Sequence, residues 1–117
     1  MNFKTDYDKL HVNIFPTIRS IHYMDKWGIY IGCTKPVHIA KKFAFKAKLV
    51  SFQDLPISDI PLSLLQYDTN PFDITNHNDF LNLINSFIPN HYMPTALTTM
   101  KRIMWWEKVV DSERRLC

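Results

Sequence analysis

The segment KFAFKAKLVSF, residues 42–52, constrains the fold more than any other part of the chain. Its apolar residues share one parity: Phe43, Phe45, Ala47 and Leu49. Its lysines share the other parity: Lys42, Lys46 and Lys48. Because successive side chains of a β-strand point to opposite faces, the pattern predicts a strand with its apolar face inward and its three lysines together on the outer face.

The residues before this strand favour extended structure and one helical turn. Residues 11–19 read as an edge or irregular strand, because Pro16 lacks the backbone donor that a central strand uses. Residues 20–26 favour a short helical turn that ends at Gly28.

Two short strands, a loop and a short helix are predicted around these segments. The β-branched and aromatic composition of residues 28–33 and 37–40 indicates strands. Residues 53–61 read as a loop interrupted by prolines, and residues 61–67 as a short helix with Pro61 in its first turn.

The clearest helix covers residues 75–88, with Asp73 or Thr75 as its cap. One apolar stripe follows the spacing of a helix: Phe80, Leu83, Ile84, Phe87 and Ile88. Residues 96–110 have the composition of a strand without strict alternation, and residues 111–117 read as a frayed polar tail.

This order of elements predicts one α+β domain over residues 1–117, with its core in about residues 11–110. Several short strands come first, a helical section follows, and a long strand closes the chain. We therefore expect a small, curved or barrel-like mixed sheet with two or three flanking helices.

Composition excludes several classes of site. With only two glycines the chain has no G-x-G-x-x-G or P-loop pattern, and its five histidines show no metal-ligand spacing, so no cofactor and no metal site are expected. Cys33 lies in an apolar run and is expected to be a core residue rather than a nucleophile paired with His38. A polar N-terminus and the lack of an 18-residue apolar window favour a cytoplasmic protein with no membrane partner.

Charge is distributed unevenly. Residues 9–48 hold eight lysines and arginines against one acidic residue, whereas residues 49–100 hold five aspartates and no lysine or arginine. A basic face suits an anionic partner, although the same lysines can simply be solvated.

The segment FPTIRSIHYMDKWG, residues 15–28, carries the strongest functional indication. Arg19 lies between apolar neighbours, and Tyr23 and Trp27 are spaced i, i+4 beside Lys26. Flat rings next to cations are the groups that recognise single strands, because bases stack on the rings and phosphates are neutralised. In the alternative interpretation the rings close the core and Arg19 pairs with an aspartate of the acidic middle segment.

Two further clusters allow a functional or a structural interpretation. Trp105 and Trp106 in a strand would point to opposite faces, so one indole could stack a base next to Lys101 and Arg102, or both could pack internally. Asp68 stands shortly before Asn70-Pro71, which is typical of a turn. In the alternative interpretation, its carboxylate faces the same cleft as Arg19.

The order of motifs resembles the ASCH domains, relatives of the PUA fold, over roughly residues 11–110. The resemblance rests on a T-x-R element, an aromatic and basic turn before a glycine, the stretch KAKLVSFQDLPISDIP, a YDT element, a helix and a closing strand. It implies a small PUA-like β-barrel with helices around it, and a cleft beside the T-x-R strand that takes RNA or a nucleoside.

Some members of that family resemble amidohydrolases of acylated cytidine, and ribonuclease activity is also associated with it. Those amidohydrolases carry a K-T-x-T-x-R pattern, in which Thr17 and Arg19 match the last two named positions. Ile14 occupies the position of the catalytic lysine in that pattern, and Phe15 occupies the position of the first threonine. An isoleucine cannot move a proton or activate a nucleophile, so the resemblance supports the fold and cleft more than the reaction.

Three hypotheses follow. The first is a module that binds RNA or another single-stranded nucleic acid, through these residues: Thr17, Arg19, Tyr23, Lys26, Trp27, Lys42, Lys46, Lys48, Lys101 and Arg102. The second is an enzyme on modified nucleosides or RNA that uses Thr17, Arg19 and Asp68. The third is a protein-interaction module that blocks or modulates a host factor through complementary charge.

Overall fold

The structure is a computed structural model that describes residues 1–70, 72–87 and 94–109. The strands are β1 (Asn2–Phe3), β2 (Ile14–Ser20), β3 (Thr34–Ile39), β4 (Lys42–Pro56) and β5 (Met100–Val109). The helices are α1 (Tyr23–Trp27), α2 (Leu62–Thr69) and α3 (His77–Ser86), with 3-10 turns at Asp8–His11 and Ile57–Asp59.

The five strands form one mixed sheet in the order β1-β3-β4-β5-β2. β1 runs parallel to β3, and every other neighbouring pair is antiparallel. The sheet curls into a half-barrel with three α-helices beside it. The prediction of an α+β fold with a small curved mixed sheet and two or three helices is therefore confirmed.

Each side of the curled sheet carries its own apolar cluster. On the concave side, Phe15, Leu49 and Trp106 lie at matching positions of three strands and are fully buried. On the convex side, Ile18, Ile103 and Trp105 pack with α2, α3 and the residues around Ile57–Asp59. Because side chains alternate along a strand, β2, β4 and β5 contribute to both clusters at once.

The predicted alternation of β4 holds for its central residues and fails at its start. Ala47 and Leu49 are buried, but Phe43 is 58 % exposed and its ring contacts His38. The register shifts at this point, with Phe45 opposite Val37 but Phe43 opposite His38. One extra residue in β4 therefore moves Phe43 to the other side of the sheet.

Two predicted boundaries are wrong. Residues 28–33 form a turn rather than a strand, because Gly28 and Gly32 both adopt positive φ, 63° and 94°, which an extended strand does not allow. β4 continues to Pro56 into the predicted loop, and a second register shift lies between Leu49 and Ser51.

The helical and C-terminal predictions are closer to the structure. α2 and α3 lie where helices were predicted, and β5 confirms the closing strand. α3 is capped by Asn76, not by Asp73 or Thr75. Phe80 is buried as expected, whereas Phe87 follows the helix and is 55 % exposed. The predictions for Ile88 and residues 111–117 lie outside the described residues.

No helix in the described part of the chain is long and apolar enough to cross a membrane. Cys33 is fully buried, as expected for a core position.

Candidate anion-binding pocket

Arg19 lies near the end of β2 with its guanidinium between two aromatic rings. Its Cζ atom is 5.3 Å from the ring centre of Phe3, in β1, and 5.3 Å from that of Tyr23, in α1. Such contacts attract the cation to the ring faces and hold it without neutralising its charge. The Nε atom is buried and has no hydrogen-bond partner within the described residues.

The aspartates of the acidic middle segment do not pair with Arg19. Asp54 binds Arg102, Asp68 binds Lys9, and Asp79 accepts hydrogen bonds from Thr75. Across residues 1–70, 72–87 and 94–109, no carboxylate forms an ion pair with the Arg19 guanidinium. The structural alternative for Arg19 is therefore wrong.

α1 supplies the aromatic wall beside Arg19. Tyr23 and Trp27 lie one helical turn apart, with ring centres 6.5 Å from each other, and Lys26 Nζ is 5.5 Å from the Trp27 ring centre. Gly28, in the left-handed conformation, ends the helix directly afterwards. Trp27 is 54 % exposed, so part of its side chain is accessible to a ligand beside Lys26.

A pocket of about 250 Å³ opens beside these rings, which we call the Arg19 pocket. Its walls come from β1, β2, α1, the turn after α1, and β3, and its lining residues are Met1, Asn2, Arg19, Tyr23, Trp27, Ile29 and Lys35. None of these lining residues is acidic. The pocket therefore combines two side-chain cations with an aromatic wall.

The pKa values of two amines near Arg19 are lowered, first by burial and then by the charge of Arg19. The pKa of the Met1 amino group is lowered, first by burial and then by repulsion from Lys35 and Arg19. The pKa of Lys101 is lowered by burial and by Arg19. An anion in the pocket would relieve this repulsion.

Arg102 lies opposite Arg19 across the β2–β5 pair but has internal partners. Its Nε and Nη2 atoms donate to the two carboxylate oxygens of Asp54 at 2.7 and 2.9 Å, and its Cζ atom is 4.4 Å from the Phe52 ring centre. This hydrogen bonding lowers the pKa of Asp54. The predicted role of Arg102 as a nucleic-acid contact is not supported by this geometry, because its charge is already paired.

The lysines of β4 are not brought together with the Arg19 pocket. Lys35 lies opposite Ala47, on the concave side, whereas Lys46 lies opposite Pro36, on the convex side. Lys48 has the same parity as Lys46, and Lys42 lies beyond the register shift near the other end of β3. The prediction that the three lysines share one outer face is wrong, because the bulge separates Lys42 from the other two.

Thr17 occupies the core. Its side chain is 1 % exposed, and its Oγ1 atom accepts a hydrogen bond from the Trp106 indole at 3.0 Å. Trp106 is fully buried, and Trp105 packs with the convex cluster. Trp106 is thus internal and Trp105 is partly buried in the convex cluster, so the predicted stacking surface beside Lys101 is not supported, and the Thr17 hydroxyl is already hydrogen-bonded.

Asp68 lies in α2, not in a turn, and pairs with Lys9. Lys9 Nζ donates to Asp68 Oδ1 at 2.5 Å, and both side chains are buried. Burial lowers the pKa of Lys9, while Asp68 opposes that shift. Arg19 and Asp68 border a second cavity of about 120 Å³, but Thr17 does not line it, so the predicted catalytic trio is not assembled.

Sequence reasoning missed three residues at this site: Phe3, Lys9 and Lys35. The predicted strand at residues 37–40 begins too late to include Lys35, which β3 places on the same side as Val37. Phe3 and Lys9 lie in a polar N-terminal stretch without periodicity, and only the tertiary contacts with Arg19 and Asp68 reveal them.

The chain is 42 % identical over 112 residues to the uncharacterized protein MJ0364 of Methanocaldococcus jannaschii. The match covers 93 % of this chain and 95 % of the relative. The chain belongs to the same protein family as MJ0364.

No protein-family model matches the chain, and no solved structure matches it either.

Proposed function

We propose that the chain binds single-stranded nucleic acid, and specifically RNA, at the Arg19 pocket. The observation that carries the proposal is the Arg19 guanidinium, which is held between two rings and has no anionic partner among the described residues. Arg19 is half-buried, and its buried Nε atom has no hydrogen-bond partner among the described residues, so a ligand that supplies negative charge and an acceptor fits this position.

The aromatic wall supports a nucleic acid over a simple anion. The exposed ring of Trp27 lies beside the cations, where a base can stack while a phosphate reaches Arg19 and Lys35. Tyr23 keeps Arg19 in place from the other side. RNA is chosen over DNA on the resemblance to ASCH domains, which implies a cleft for RNA beside the T-x-R strand.

The proposed contact set is smaller than the one predicted from the sequence. It keeps Arg19, Tyr23, Lys26 and Trp27, and adds Lys35. It omits Thr17, whose hydroxyl is bonded to Trp106, as well as the residues whose charges are paired internally or that do not line the pocket: Lys42, Lys46, Lys48, Lys101 and Arg102.

The test is binding of a 3′-labelled, 5′-phosphorylated single-stranded RNA, followed by fluorescence anisotropy at several salt concentrations. A charge-assisted hydrogen bond contributes about 1.5–3 kcal/mol, so Arg19→Ala is expected to weaken binding roughly 10- to 100-fold. The log–log salt slope should fall by about 1, since one phosphate contact is lost.

Lys42→Ala is the matched control, because it removes the same charge from an exposed position away from the pocket. It should change affinity less than about twofold. Trp27→Ala truncates an exposed ring without disturbing the core, and it should weaken binding by about 1–3 kcal/mol. Equal affinities for wild type, Arg19→Ala and Trp27→Ala, or no RNA binding at all, would refute the proposal.

A further inference from the structure

We infer that the bound RNA strand continues beyond the Arg19 pocket, across β1, to Lys4 and Lys41. This inference rests on the proposed function and specifies how much of the strand the protein holds, which is a run of several nucleotides rather than one. Three features of the described residues support it: the hollows that adjoin the pocket, the cations that line each hollow, and the turn that carries Lys41.

The Arg19 pocket adjoins two further hollows along β1. The middle hollow, of about 280 Å³, is lined by β1, Lys4, Thr5, Tyr7, Arg19 and Phe87. The Lys41 hollow, of about 660 Å³, is lined by β1, Lys4, His38, Ala40 and Lys41. Asn2 and Arg19 are shared by the pocket and the middle hollow, and Phe3 and Lys4 are shared by the middle hollow and the Lys41 hollow. The three hollows therefore form one continuous depression.

Each part of this depression is lined by a cation. Arg19 and Lys35 line the pocket, Lys4 lines both other hollows, and Lys41 lines the last one. Lys4 and Lys41 are exposed, so their amino groups are accessible to a strand. Among the described residues that line the three hollows, none is acidic. A row of cations in a groove is the arrangement by which proteins follow a single-stranded backbone.

The turn that carries Lys41 has a backbone conformation that lysine rarely adopts. Ala40 and Lys41 form the two-residue loop between β3 and β4, with φ of 50° and 69°. Such loops usually contain Asn-Gly or Asp-Gly, because positive φ is unfavourable for other residues. The Ala40 backbone N–H donates to the Phe3 carbonyl oxygen at 2.9 Å, which fixes the loop beside the end of β1. A lysine at this strained position supports a role for its side chain.

Exposed rings lie at two separate points of the depression. Trp27, in the pocket, is 54 % exposed, and Phe87, in the middle hollow, is 55 % exposed, so two bases can stack. The chain from Lys35 to Lys41 spans roughly 20 Å at the rise of a β-strand. A single-strand site on one small domain commonly takes about four or more nucleotides, and we assign this site to that class.

The first measurement is the affinity of the wild-type protein for oligouridylates of two, four, six and eight nucleotides with identical ends, by fluorescence anisotropy. We expect the hexamer to bind about tenfold or more tighter than the dimer, because its additional phosphates reach Lys4 and Lys41. A dimer that binds as tightly as the octamer would overturn the inference.

Lys4→Ala and Lys41→Ala should each weaken octamer binding roughly two- to fivefold and lower the log–log salt slope by about 1. Binding of the dimer, which fits within the Arg19 pocket, should stay within about twofold of the wild-type value. Lys42→Ala is the matched control, because Lys42 is the exposed neighbour of Lys41 but lines none of the three hollows. It should preserve both the octamer affinity and the salt slope.

Lys41→Gly separates the charge of this residue from its effect on the turn. Glycine accepts positive φ, so this variant should unfold at the same or a higher urea concentration than the wild type while it binds the octamer as weakly as Lys41→Ala. Ala40→Gly relieves the neighbouring strain and keeps the charge, so it should preserve octamer binding. Weaker binding therefore cannot be attributed to a damaged fold.

Unchanged octamer affinity and salt slope in both Lys4→Ala and Lys41→Ala would overturn the inference, and a loss of binding in Arg19→Ala in the same titrations would leave the proposed function standing. If the wild-type protein binds none of the oligonucleotides, or if Arg19→Ala and Trp27→Ala bind them as the wild type does, the proposed function fails and the inference fails with it.

Discussion

Two arginines on the same side of the sheet show how neighbours decide the role of a residue. Arg19 and Arg102 face each other across β2 and β5. Asp54 accepts two hydrogen bonds from Arg102, whereas the Arg19 guanidinium contacts the rings of Phe3 and Tyr23 and has no carboxylate partner among the described residues. An arginine is therefore part of the internal hydrogen bonding in β5, as Arg102, whereas an arginine in β2, Arg19, keeps its charge available to a ligand.

The buried pair of Lys9 and Asp68 yields a prediction about stability at the residue scale. Lys9→Met leaves the Asp68 carboxylate buried without its partner, and losing one member of a buried pair costs about 3–5 kcal/mol. Urea unfolding followed by circular dichroism should show this decrease in the free energy of unfolding.

The double variant Lys9→Met with Asp68→Leu serves as the control. It removes both charges together, so most of the lost stability should return. A double variant as unstable as Lys9→Met alone would show that the pair is not the source of the effect.

At the scale of elements, α3 is fixed at its start by side-chain hydrogen bonds. The Asp79 backbone N–H donates to Asn76 Oδ1 at 2.9 Å, and the Thr75 backbone N–H donates to Asp79 Oδ2 at 2.8 Å. The hydrogen bonds from Thr75 lower the pKa of Asp79. This reciprocal arrangement satisfies donors that have no partner inside the helix.

Asn76→Ala should therefore reduce the free energy of unfolding by about 1 kcal/mol, since it removes the cap. Asn82→Ala, at an exposed position inside the same helix, should change stability by no more than about 0.5 kcal/mol and in the stabilising direction. Thermal melts of both variants make the comparison. An Asn76→Ala protein as stable as the wild type would contradict the assignment of this cap.

At the scale of the whole molecule, one sheet separates two apolar clusters and belongs to both. Trp106 is buried on the concave side, and its neighbour Trp105 packs on the convex side. A disturbance of either cluster reaches the other through β5 and its partners β2 and β4. The two clusters should therefore unfold together.

We expect a single cooperative unfolding transition that has the same midpoint by tryptophan fluorescence and by circular dichroism. Leu49→Ala on the concave side and Leu65→Ala on the convex side should each cost about 2–5 kcal/mol, because both side chains are fully buried. Each variant should shift the whole transition. Two separate transitions in either variant would show that the clusters are independent units.

The sequence by itself determined the elements whose side chains repeat with a regular period. The central part of β4, the buried face of α3 around Phe80 and the opposite placement of Trp105 and Trp106 all follow from local periodicity. The α+β class follows from the order of these elements, and the apolar neighbours of Arg19 marked it as an unusual position for a cation.

Only the tertiary structure decided which charges meet. The bulge in β4 moves Phe43 and Lys42, the register of β3 brings Lys35 to Arg19, and the N-terminal strand places Phe3 against the guanidinium. These outcomes depend on contacts between residues far apart in the chain. Local periodicity fixes the face of a strand but carries no information about its partner's register, so the pocket could not be read from the sequence.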